Sequence, residues 1–218
     1  MPIRPRPWSM LAVMVAGQAA TTVVVATPAF LIPYFTQQRG MSLAGAGLLA
    51  GMPNLGLVLA LFLWGALVDR VGERRVLLIG LSSSAAAVAL SMRAGDAFWL
   101  GASFVLSGAM TACINNTSGR LISGWFPVER RGLVMGIRQT CQPLGMALAA
   151  VAVPPIAAGA GPVVALGFGG ALILVSLIAC ACTVVDSPRT TGAGPASEDG
   201  PAPNPYRGSA TLVRIHAV

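Results

Sequence analysis

The sequence predicts an all-α integral membrane fold, and three observations carry the prediction. Of 218 residues, 55% are hydrophobic and only 10% charged, whereas a soluble domain carries roughly a quarter charged residues. The apolar stretch from Trp8 to Val185 is cut by short polar or Gly-rich joints into pieces near the ~20 residues that cross a bilayer. The arginines gather at alternate joints, as they do when loops sort by side of the membrane.

Six spans follow: Trp8–Phe35, Leu43–Val68, Val76–Met92, Ala97–Trp125, Gly132–Ile156 and Pro162–Val185. The first starts behind Arg4 and Arg6 and imitates a signal peptide, but its apolar run passes Gln18-Ala19-Ala20 and continues to Phe35, so it reads as an uncleaved span. The second carries Pro53 and Asn54, and the third begins directly after Arg74-Arg75. The fourth is bracketed by Phe98-Trp99 and Trp125-Phe126. All four Trp residues, Trp8, Trp64, Trp99 and Trp125, are expected at headgroup level. The fifth contains Arg138, the only charge placed inside a span, and the sixth opens on Pro162. Pro28, Pro33, Pro53 and Pro143 are expected to bend or interrupt helices where neighbours satisfy the freed backbone. Residues 1–185 thus form one membrane domain. Residues 186–218 hold nine Pro or Gly and read as a flexible cytoplasmic tail unable to bury enough apolar surface to order itself.

Charge sets the orientation. Arg4, Arg6, Arg70, Arg74, Arg75, Arg120, Arg130, Arg131, Arg189, Arg207 and Arg214 fall on one side and only Arg39 and Arg93 on the other. Positive loops stay inside, so both termini are expected in the cytoplasm of a bacterial-type plasma (inner) membrane, with lipid as the surrounding partner. The net charge of +7 comes from scattered arginines with no basic face, which argues against a nucleic-acid partner.

Gly47-Leu48-Leu49-Ala50-Gly51 opens the second span and Gly132-Leu133-Val134-Met135-Gly136 the fifth, an offset of 132 − 47 = 85 residues. Three helices reverse membrane orientation, so the offset fits two inverted three-helix repeats, a common transporter plan.

Several classes of chemistry lack their residues. Cys113, Cys141, Cys180 and Cys182 have no zinc-type spacing with His partners and read as packing residues, so no metal or other cofactor is expected. The only His, His216, lies in the tail, which argues against a His-based intramembrane serine protease and against an enzyme generally. No phosphate-cradling Gly-x-x-x-x-Gly-Lys loop is present, so ATP is not the expected energy source. The sequons at Asn115 and Asn116 lie within or at the cytoplasmic end of a span, out of reach of glycosylation.

The densest charge cluster is the joint Gly65-Ala66-Leu67-Val68-Asp69-Arg70-Val71-Gly72-Glu73-Arg74-Arg75. Gly65 permits close helix approach, and Gly72 can take the positive φ of a tight turn. Asp69 is placed to accept from N–H groups at a neighbouring helix end. The arginines can reach carbonyls or carboxylates nearby.

This joint resembles the loop between the second and third helices of the major facilitator superfamily, whose pattern runs Gly-x-Leu-Ala-Asp-Arg-x-Gly-Arg-Arg/Lys. Gly65, Leu67, Asp69, Arg70, Gly72 and Arg74 match, and Glu73 replaces a usually basic residue. The run from Asn116 to Gly145, and Asp186-Ser187-Pro188-Arg189, resemble the family's fourth-to-fifth-helix region and the stretch after its sixth helix. The resemblance implies half of a twelve-helix fold: the N-terminal half of a secondary active solute transporter working by alternating access. The other half, or a second copy, would be its partner and a small-molecule solute its cargo. It further implies that Gly65, Asp69, Arg70, Gly72, Arg74, Glu129, Arg130 and Arg131 belong to a cytoplasmic gate or latch. Two departures stand out. Phe104 occupies the place of the fourth-helix arginine of many proton-coupled members, and Gln142-Pro143-Leu144-Gly145 replaces the Gly-Pro-x-x-Gly-Gly run of drug antiporters.

In that family the first, second, fourth and fifth helices line the central path, which nominates Gln18, Thr22, Asn54, Asn115, Arg138, Gln139 and Gln142. Interhelical hydrogen bonding explains the neutral residues equally well. Arg138 either meets an anionic solute or a carboxylate of the other half, or snorkels to the cytoplasmic surface. The alternative to a transporter is a non-transporting remnant or membrane assembly subunit.

Overall fold

The computed structural model describes residues 7–185; the expected tail at 186–218, with His216 and the outermost arginines, lies outside them. Eight helices are described, α1 (Pro7–Phe30), α2 (Ile32–Gln37), α3 (Leu43–Val71), α4 (Glu73–Arg93), α5 (Ala97–Trp125), α6 (Val128–Gln139), α7 (Cys141–Ala160) and α8 (Pro162–Thr183). They make six candidate membrane spans, because α1 with α2 and α6 with α7 each form one interrupted crossing. The interruptions have a covalent cause. Pro33 and Pro143 have no N–H to donate to the carbonyls four residues earlier, at Ala29 and Gln139. Leu31 and Thr140 fall at the resulting breaks. Pro53 sits inside α3 without ending it.

The fourth span begins and ends at the expected residues. The second and third run further, so the charged joint is not a loop: Gly65–Val71 is the last part of α3, Glu73–Arg75 is the first turn of α4, and Gly72 alone links them at φ +91°. Only glycine takes that angle without strain.

The packing repeats with an exchange of halves. α1 packs on α7 and α8, while α5 packs on α3 and α4. Exchanging each of the first three spans with its counterpart in the second three turns one set of neighbours into the other, as inverted repeats require. The tightest approaches use glycine where lipid offers no hydrophobic force to press helices together. At the α3–α5 seam a Cβ on Gly56 would run into the carbonyl of Val105, and one on Gly108 into that of Pro53. At the related α1–α7 seam a Cβ on Gly145 would meet the carbonyl of Ala19. Gly65, expected to serve this purpose, has nothing near it. Trp64 also departs from expectation: it is buried in the α3–α5 seam, not seated at a headgroup boundary, and its Nε1 donates to the carbonyl of Ala109 at 2.7 Å. An indole N–H in an apolar seam must find such an acceptor. Cys113, Cys141 and Cys180 are buried packing residues, whereas Cys182 is exposed.

Candidate functional site

Four helices, α1, α3, α5 and α7, line an open-sided cavity of about 530 Å³. On α5 the polar lining residues Thr111 and Asn115 are four apart, and on α1 Gln18, Thr21 and Thr22 occupy one turn, so helical spacing gathers each set on one face. Asn54 of α3 and Gln142 of α7 complete the polar lining. Val25, Ala26, Ala29, Ala50, Leu57 and Met146 are among the apolar remainder. Among the described residues, no Asp, Glu, Arg or Lys lines the cavity.

The hydroxyls of Thr21 and Thr22 donate to the carbonyl of Gln18, each at 2.9 Å, and that of Thr111 donates to Gly108 at 2.8 Å. Their protons are therefore spent on their own helices, and what they turn outward is acceptor capacity. Asn54 and Gln142 have no side-chain hydrogen bond among the described residues, so each presents both a donor and an acceptor.

Beneath the cavity a polar chain ties three helices together. Arg138 Nε donates to Ser118 Oγ at 2.9 Å, Ser118 Oγ donates to Gln18 Oε1 at 3.3 Å, and Gln18 Nε2 donates to Asn115 Oδ1 at 2.7 Å. Arg138 Nη2 also donates to the main-chain carbonyl of Asn115 at 3.1 Å. Each donor in such a chain polarises the next. Arg138 thus neither lines the cavity nor reaches outward: it braces α5 and, through Ser118, fixes the orientation of the Gln18 amide. Gln139 is exposed and also outside the lining. Five of the expected path residues, Gln18, Thr22, Asn54, Asn115 and Gln142, come together here. Ser118 was missed, although its place three residues after Asn115, on the same helix face, was visible in the sequence.

The charged end is built differently. Asp69, expected to meet helix-end N–H groups, instead forms an ion pair with Arg120 of α5, and both side chains are about half exposed. The sequence assigns Arg120 only to orientation, and its charge is the one local signal of a pairing that the fold makes across 51 positions. Arg74 Nη2 donates to the carbonyl of Ala181 near the end of α8 at 3.1 Å, joining the third span to the sixth. Glu73 is 3% exposed in the first turn of α4, where a carboxylate suits the helix dipole. Arg131 Nε donates to the carbonyl of Phe126 at 3.4 Å, while its Nη2 is buried without a partner. Arg70, Glu129 and Arg130 are exposed and their side chains make no ion pair among the described residues. The expected gate residues therefore share one end of the bundle, but only some are joined.

A family model described as the Major Facilitator Superfamily matches residues 10–214. The chain belongs to the Major Facilitator Superfamily. An uncharacterized MFS-type transporter of Mycobacterium tuberculosis is 41% identical over 210 residues, 96% of this chain and 46% of that relative. Synaptic vesicle glycoprotein 2A of Rattus norvegicus is 35% identical over 75 residues, covering 34% of this chain and 10% of that protein. Among solved superfamily folds, a bacterial homologue of the human lysosomal transporter Spinster, inward-facing and unoccupied, superposes with a TM-score of 0.72 at 16% identity, covering 92% of this chain and 47% of that one. A proton:xylose symporter gives 0.70 at 17% identity over 84% of this chain and 46% of that one. The chain spans about half the length of the mycobacterial relative it matches. These likenesses place a multi-pass membrane protein in a transporter family, with the inverted-repeat, six-helix arrangement seen in its packing.

Proposed function

We propose that this chain is the N-terminal six-helix half of a secondary active solute transporter that works by alternating access, with the cavity between α1, α3, α5 and α7 as its share of the solute path. The carrying observation is the lining: neutral amides and threonine oxygens converge on a cavity of about 530 Å³, an expensive placement in a membrane unless a polar occupant uses it. A solute held by this half is recognised by hydrogen bonds and not by charge, because no cation lines the cavity among the described residues and Arg138 is turned into the α5 brace. The second half, supplied by a longer chain, a separate chain or a second copy, closes the open side of the cavity. Both termini face the cytoplasm, and the end carrying Asp69, Arg74 and Arg120 is the cytoplasmic end.

In this mechanism the Asp69–Arg120 pair and the Arg74 contact hold α3, α5, α4 and α8 as one rigid body. The exposed charges of Arg70, Glu129 and Arg130 are then free to make and break contacts with the other half as the cavity changes sides. Uptake tests the reading. Vesicles carrying the chain, alone and with a supplied second six-helix half, are incubated with labelled sugars, nucleosides and amino acids. Accumulation above empty vesicles, lost in the Gln18→Ala/Asn115→Ala variant, is expected. Absence of accumulation in both preparations would leave the non-transporting assembly subunit as the better account.

A further inference from the structure

On the flank of α5 turned away from the central cavity, a second hollow of about 360 Å³ lies between α4 and α5 at the Arg-poor end. α4 contributes nothing to the central cavity, so this hollow lies outside the solute path. Its walls are largely apolar, with Leu90 from α4 and Trp99, Ala102 and Leu106 from α5 beside the buried Ser103, and the large side chains of Leu90, Trp99 and Leu106 are exposed. Arg93 stands at its rim, exposed, with no hydrogen bond or ion pair among the described residues. Arg39 reaches the same rim from the joint between α2 and α3, its Nη1 donating to the carbonyl of Gly95 at 3.4 Å.

These are the only two arginines described at this end of the bundle, and both stand beside the α4–α5 joint, Arg93 at the end of α4 and Arg39 through its contact with Gly95 two residues on. The negative end of the α4 dipole accounts for a cation at Arg93 but not for the approach of Arg39. The neighbouring carboxylate, Asp96, accepts the Trp99 N–H at 2.9 Å through Oδ1 and caps α5, and its single negative charge leaves the two arginines a net positive one. Trp99 marks the headgroup level. Two cations beside a largely apolar hollow between two membrane-spanning helices, one at its rim and one on the adjoining Gly95, are the complement of a molecule with an anionic head and an apolar tail.

We propose that this hollow is a binding site for an anionic phospholipid, its phosphate held between Arg39 and Arg93 and one acyl chain lying against Leu90, Ala102 and Leu106. The site rests on the membrane placement of the chain and not on the transport reading. One basic residue near an anionic membrane surface contributes about 1 kcal/mol, or about fivefold in affinity.

The test is native mass spectrometry of the purified chain titrated with phosphatidylglycerol or, separately, phosphatidylcholine. Phosphatidylglycerol should be retained at least fivefold better than phosphatidylcholine. Arg93→Gln and Arg39→Gln should each weaken that retention about fivefold, and Ala102→Phe, which fills the hollow from an exposed position, should weaken retention of the first bound lipid. Arg75→Gln at the other end should leave it unchanged. Equal retention of the two lipids would overturn the proposal, as would loss of preference in Arg75→Gln equal to that in Arg93→Gln. A lipid-free dimer broken by Ala102→Phe would also overturn it, by giving the hollow to a second copy.

Discussion

The central cavity and the charged end are two halves of the same helices treated in opposite ways. In the cavity, charge is kept out: amides and threonines face the space, and the Arg138 guanidinium is held outside the lining by two uncharged acceptors on α5. At the charged end, ions are plentiful, and the ion pair of Asp69 with Arg120, about half exposed on both sides, lies in reach of water. The difference follows from solvation. A charge at membrane depth costs at least ~2.5 kcal/mol, whereas a surface ion pair forms and breaks at a cost of about 1 kcal/mol or less. The cavity is suited to hold and the charged end to switch. α5 serves both, with Asn115 and Ser118 in one network and Arg120 in the other.

The largest expected effect tests the seam that fixes α5 between the two regions. Gly108→Leu drives a side chain into the Pro53 carbonyl and should cost ~3 kcal/mol or more, the upper range for overpacking, read as loss of monodisperse protein and early unfolding in SDS. Next is Arg138→Met, which strips donors from Ser118 and the Asn115 carbonyl. It should cost ~2 kcal/mol, in the range for hydrogen bonds to a charged group, and reduce uptake without altering the charged end. Asn115→Ala should cost only ~0.6 kcal/mol, a typical interhelical hydrogen bond in a membrane, yet depress uptake about tenfold, one lost solute hydrogen bond of ~1.4 kcal/mol. The smallest stability effect belongs to Asp69→Asn and Arg120→Gln, each ~0.5 kcal/mol as for exposed pairs. The double variant should be no worse than either single one, and uptake should slow while the solute concentration for half-maximal uptake stays fixed. If Asn115→Ala slowed transport in that same way, the division between holding and switching would be broken.

The spans were legible because hydropathy and length are properties of each segment alone; the fourth, Ala97–Trp125, matched to the residue. What depended on a neighbour was not. Gly65 and Gly56 look alike in sequence, but only Gly56 faces a backbone across a seam. Trp64, like Trp99, reads as close to a span end, yet its Nε1 donates to the Ala109 carbonyl inside the α3–α5 seam. The neutral cavity residues were read from their cost in lipid together with the family resemblance. Arg138 was noticed for its charge, but its direction was set by Ser118 and Asn115 on another helix. Asp69 is expected from the sequence at helix-end N–H groups but pairs with Arg120, which lies 51 positions along the chain and has no local signal beyond its charge.

The most direct test of the central claim is sidedness of access to Asn54. Asn54→Cys is made in a Cys182→Ser background, which removes the one exposed native thiol, and a membrane-impermeant maleimide is applied to each face of sealed vesicles in turn. Labelling from both faces, slowed by a transported solute, is the result expected of a cavity that opens alternately. An Asn54→Cys thiol that reacts from neither face would mean that lipid covers it, and would contradict a solute path between α1, α3, α5 and α7.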